Sequence, residues 1–221
     1  MSLFTDAGAT QPLFVLAAGV LGIVLGLVAE QVIAWTLPRL GSRPAVWVRI
    51  TTAALTGALS ALLASRFGIS WDLPAYIVLA VLGVQLSRID IAQKLLPNRI
   101  VLFLLLAGTT LLCIAAAAAP EWGALLRAVV SAAILFVVYL ILAIISPNGI
   151  GMGDVKLAAP LGLYLGYLGW TQLFYGGTLG FVVGGFATFV LMRLKTKGTL
   201  SEVAYGPSML AACLGVILSL P

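Results

Sequence analysis

The chain has no histidine anywhere in its 221 residues, only seven acidic residues and two cysteines. Each shortage excludes chemistry. Without histidine there is no histidine-based nucleophilic triad, no HExxH zinc site and no imidazole base. Cys113 and Cys213 lie a hundred positions apart inside apolar runs and form no CxxC pair, so they read as small hydrophobes rather than as metal ligands. Charge of either sign is also scarce, at 9% of residues, whereas a soluble domain carries roughly 25%. Such a chain cannot clothe a water-facing surface.

What is abundant is apolar side chain, 62% of the sequence. Charges and turn residues cut it into apolar segments near 12–36, 48–65, 73–88, 100–119, 124–145, 154–170, 173–192 and 204–220. The segment Ile100 to Ala119 runs twenty residues without a charge, enough to cross roughly 30 Å of hydrocarbon at about 1.5 Å per residue. No stretch alternates with period two, and only helices then satisfy the backbone in lipid. The expected fold is all-α, a polytopic membrane bundle of about eight transmembrane helices forming one domain over 1–221. Pro12 to Leu37 is too long for a cleavable signal core and reads as a retained first span.

The net charge of +5 does not point to nucleic acid, because the basic residues sit in short connections between apolar runs. With the N-terminus outside, the inner side holds Arg39, Arg43, Arg49, Arg88, Lys94, Arg99, Lys156, Arg193, Lys195 and Lys197. The outer side holds only Arg66 and Arg127. Ten against two fixes the expected orientation, both termini out. Two stripes of glycine, Gly162 with Gly166 and Gly176 with Gly180 and Gly184, read as close helix contacts.

Of the seven carboxylates, Asp6, Asp72 and Glu121 fall in outer connections and Glu202 in the last inner one. Glu30 lies inside the first span, which makes it a functional candidate by position alone, or the partner of a nearby arginine. Asp90 and Asp154 both fall at the inner membrane boundary, the first in the connection after span three and the second at the start of span six. Each suits a helix cap. Asp154 also closes Gly151-Met152-Gly153-Asp154, and flanking glycines permit close backbone approach or torsions that other residues resist.

Gly151-Met-Gly-Asp154-Val-Lys156-Leu closely resembles the GxGD motif of the bacterial prepilin peptidases, the type IV leader peptidase family. Asp90 followed by Pro97-Asn98 resembles that family's first aspartate motif, and Tyr205-Gly206-Pro207 its C-terminal Phe-Gly-Pro element. The resemblance implies a membrane aspartyl endopeptidase with Asp90 and Asp154 catalytic. Gly151, Gly153, Lys156, Pro97, Asn98, Gly206 and Pro207 would be motif residues that bind substrate or hold the site. It implies no metal and no organic cofactor. Its partners would be a prepilin or pseudopilin leader and membrane lipid, in a bacterial inner membrane with the site facing the cytoplasm. Two carboxylates a few ångströms apart cannot both ionise cheaply, so such a pair shares a proton.

Two departures from the family pattern stand out. The connection Pro38 to Trp47 contains no cysteine, where full-length members carry a cysteine-paired insert associated with N-methylation. Val28-Ala29-Glu30-Gln31 stands where the family has a Ser-Phe-Leu-Asn run. Other readings remain. The presenilin and signal peptide peptidase group also uses GxGD, but pairs it with Tyr-Asp and Pro-Ala-Leu; here Ile89 precedes Asp90 and Ser208 follows Gly206-Pro207. A proton-coupled transporter would use Asp90, Asp154 and Glu30 as a relay but wants repeat symmetry, which the chain lacks. A non-catalytic pilus or secretion component would not need both aspartates.

Overall fold

The computed structural model describes residues 7–37, 44–145, 150–194 and 205–220, with side chains for 11–37, 44–145, 150–186 and 205–220. Arg39, Arg43, Lys195, Lys197 and Glu202 lie outside the described residues, as does the Arg193 side chain. Among the described residues eight α-helices follow one another, with no strand. They are α1 (Ala7–Thr36), α2 (Val46–Phe67), α3 (Leu73–Gln93), α4 (Asn98–Ala118), α5 (Trp122–Ile145), α6 (Met152–Leu168), α7 (Trp170–Leu194) and α8 (Gly206–Ser219). Five of them, α1 to α5, are long and apolar enough to cross a membrane. The protein is an all-α polytopic membrane helix bundle. Its five tryptophans are all exposed; Trp35, Trp47, Trp122 and Trp170 lie at helix ends and Trp71 in the connection just before α3, where an amphipathic ring meets both lipid and headgroups.

The helices sit within a few residues of the apolar segments, with one instructive exception. The third segment was expected to stop at 88, yet α3 continues through Asp90 to Gln93. Arg88 and Asp90 read as boundary charges, but a helix ends where its backbone turns. That point is Lys94: its N–H still donates to the Asp90 carbonyl at 2.7 Å, while its φ of 52° turns the following chain out of the helix, an αL cap. Asp90 is therefore helical, not in the connection. Arg49 and Arg127, read as connection residues, are likewise inside α2 and α5.

The chain's contacts form two compact units, Met1–Gln85 and Leu86–Pro221. In the first, α1 and α2 pack through small residues. A Cβ added at Gly22 would strike the Ser60 side chain, one at Gly26 would meet Thr56, and one at Gly57 would lie 2.5 Å from Ile23 Cγ1. Such approach suits helices that gain no hydrophobic advantage from one another in lipid. Glu30, buried in α1, binds Arg49 of α2, with Oε1 to Nε 2.8 Å. Gln85 donates to the Gly26 carbonyl at 3.1 Å.

In the second unit, α6 is buried along its length. Gly162 and Gly166 bring it against Ser131, Ala132, Leu135 and Ala128 of α5, and Gly108 of α4 receives Tyr164. Arg127 donates to the carbonyls of Gly166 and Tyr167, both at 2.7 Å, satisfying the last turn of α6 and opposing its dipole. Gly176 faces Leu165, Gly180 faces Met209 and Gly184 faces Tyr205. Both glycine stripes are packing surfaces.

Candidate active site

Asp154 is the third residue of α6, whose N-cap is Gly151. Its Oδ2 accepts from the Gly151 N–H at 3.2 Å, which satisfies one orphan donor of the helix start. Gly151 has φ −73°, and only Gly68 among the described glycines has a left-handed φ. The motif glycines therefore serve close approach rather than unusual torsion. A Cβ at Gly151 would lie 3.2 Å from Asp154 Oδ2, and one at Gly153 would lie 3.1 Å from Leu96 Cβ.

Asp90 sits in the last turn of α3 and is 5% exposed. Its Oδ2 accepts from the Gly206 N–H at 3.1 Å, a contact across 116 residues. Gly206 is the first residue of α8, with Pro207 beside it in the first turn, where a missing N–H costs little. A Cβ at Gly206 would approach Asp90 Oδ2 to 2.8 Å. The helix-cap reading is thus realised for Asp154, and in a different form for Asp90, which receives the N-terminus of another helix. Capping does not account for the two meeting.

They do meet. Asp90 and Asp154 line one cavity of about 260 Å³ together with Lys94, Leu95, Leu96, Asn98, Gly151, Met152 and Gly153. The charge of Asp90 acts on Asp154, and no cation pairs with either carboxylate among the described residues. No three His, Cys, Asp or Glu side chains gather among the described residues.

The remaining motif residues divide. Gly151, Gly153 and Asn98 line the cavity, whereas Pro97, Lys156, Gly206 and Pro207 are not among its lining residues. Pro97 is the N-cap of α4, and its carbonyl accepts from the N–H groups of Ile100 and Val101 at 3.0 and 3.2 Å. The Lys156 ammonium donates to Asn98 Oδ1 at 3.1 Å, linking α6 to the start of α4. Lys94, Leu95 and Leu96 carry no motif signal, and sequence reasoning missed them as site residues; Met152 entered only as the variable position of the Gly151–Asp154 motif. Tyr205 was read only as part of a motif; its hydroxyl donates to the Phe181 carbonyl at 2.7 Å.

The profile of the type IV leader peptidase family matches residues 76–220, well over half the chain and including both aspartates. The chain belongs to that family. Its relatives include the prepilin leader peptidase/N-methyltransferases of Stutzerimonas stutzeri, 33% identical over 71% of this chain and 53% of the relative, and of Pseudomonas aeruginosa, 30% identical over 75% and 54%. That of Bacillus subtilis is 30% identical over 71% and 66%. The chain thus spans about half to two thirds of the length of these relatives. No solved structure matches it.

Proposed function

We propose that the chain is an aspartyl endopeptidase that removes the leader from type IV prepilins or pseudopilins at the cytoplasmic face of a bacterial inner membrane, with Asp90 and Asp154 as its catalytic pair. The observation that carries this reading is that two aspartates from separate motifs, 64 positions apart in the sequence, line one cavity. Helix packing alone gives no reason to bring two like charges together inside a membrane protein. A shared reaction does.

In that reaction one carboxylate is ionised and the other protonated. The ionised one takes a proton from a water molecule held between them, and the water oxygen attacks the scissile carbonyl. The protonated carboxyl donates to the carbonyl oxygen as it gains charge. Collapse of the tetrahedral intermediate breaks the C–N bond, and the proton first taken from water passes to the leaving amine. Because the pair titrates as a unit, acid and base roles belong to the pair. The rate should fall on both the acid and the alkaline side of an optimum.

A transporter reading finds less support. Asp90 and Asp154 lie in the last and first turns of their helices rather than near mid-span, and Glu30, the third member of any relay, is bound to Arg49. The test is cleavage of a purified type IV prepilin by Asp90→Asn and Asp154→Asn proteins in detergent, with circular dichroism to verify that both fold. Loss of cleavage in each supports the pair; retained cleavage in either removes it.

A further inference from the structure

Leu96 lies on the short connection between α3 and α4, where Lys94 and Leu95 are exposed, yet it is buried at 7%. Its burial comes from two glycines on different helices. The Cβ that Gly153 lacks would fall 3.1 Å from Leu96 Cβ and 3.3 Å from its Cδ1. The Cβ that Gly206 lacks would fall 3.3 Å from Cδ1 and 3.4 Å from Cδ2. One isobutyl group therefore fills the notch between the N-termini of α6 and α8. Those two glycines adjoin the two acids, since Gly153 precedes Asp154 and the Gly206 N–H binds Asp90. Leu96 also lines the cavity that both carboxyls share.

The wall is fixed at both ends. Pro97 caps α4 immediately after it, and Lys94 before it holds a left-handed φ of 52°, a conformation that persists in a non-glycine residue only where its surroundings enforce it. Neither helix needs a leucine at 96 to begin or end. A substrate that reaches both carboxyls must enter the cavity that Leu96 lines.

We propose that Leu96 is a specificity-determining residue, setting the size of the substrate side chain accepted next to the scissile bond. The proposal rests on the aspartyl-pair reading above and names the wall of that site. Apolar walls discriminate by volume, at about tenfold to a few hundredfold per methylene-scale difference.

The experiment is a competition. Purified protein in detergent is given pairs of type IV prepilins that differ in one residue, Gly, Ala, Val, Leu or Phe, placed before the cleaved bond in one series and after it in another. The ratio of kcat/KM is read from product masses. Leu96→Ala should raise the large-to-small ratio at least about tenfold in one series, and Leu96→Phe should lower it in the same series. Leu96→Val should fall between wild type and Ala, and it carries the test if the Ala protein does not fold. Ratios equal to wild type in both series, whatever the absolute rates, would make Leu96 mere packing and overturn the proposal. Cleavage by Asp154→Asn at the wild-type rate has a different signature: it removes the aspartyl pair, and this inference with it.

Discussion

The two units each bury carboxylates among helices, and they treat them in opposite ways. In the first, Glu30 is bound by the guanidinium of Arg49 at 2.8 Å, so positive charge meets negative and the pair ties α1 to α2. In the second, Asp90 and Asp154 receive no cation among the described residues; each accepts a backbone N–H, from Gly206 and Gly151 respectively. Backbone donors orient a carboxylate without neutralising it, leaving its charge to act on the other acid and on whatever enters the cavity. A neutralised carboxylate is a fastening. Two carboxyls held by backbone donors, with no cation on either among the described residues, face a single cavity and suit the proposed reaction. The family match begins at residue 76, within α3, and covers both aspartates but not Glu30 or Arg49.

The largest effect is expected from the second unit: Asp154→Asn should lower prepilin cleavage by on the order of a thousandfold or more, while Glu30→Gln leaves it within about threefold. An Asp154→Asn protein that cleaves while Glu30→Gln does not would reverse the assignment. Next is Gly206→Ala. The added Cβ would come 2.8 Å from Asp90 Oδ2, so the carboxyl must shift. Gly206 does not line the cavity, so kcat should fall by about tenfold to a hundredfold with KM little changed. A rise in KM at constant kcat would place Gly206 in substrate binding instead.

Stability should show the converse pattern. Glu30→Ala removes the carboxylate that holds a partly exposed Arg49 and should cost about 1–3 kcal/mol, read as a lower midpoint of thermal unfolding in detergent. Asp154→Asn should shift that midpoint less. Smallest is Lys156→Met, which removes one exposed hydrogen bond to Asn98; a loss of no more than about fivefold in cleavage is expected. A loss as large as that of Asp154→Asn would bring Lys156 into the chemistry itself.

The helices were legible because charges and turns punctuate the apolar runs, and because lipid leaves the backbone few alternatives. The glycine stripes of α6 and α7 were legible for the same reason. The packing of α1 on α2 was missed although Gly22 and Gly26 have the same four-residue spacing as Gly162 and Gly166; its other half, Gly57 on α2, stands without a second glycine at that spacing. The end of α3 was misread because charge was taken for a boundary where Lys94 supplies the turn. Asp90 and Asp154 stood out by motif, yet nothing in their own segments says that they share a cavity. Leu96 carries no signal in sequence: its meaning comes from Gly153 and Gly206, brought to it from two other helices.

The central claim is that Asp90 and Asp154 act as one unit, and the direct measurement is the cleavage rate of Asp90→Asn, Asp154→Asn and the double variant, each under single-turnover conditions with the same purified prepilin. Residues that work jointly are non-additive. The account predicts that either substitution alone removes nearly all cleavage and that the double variant is no slower than the worse single one. Two modest losses that multiply in the double variant would contradict it.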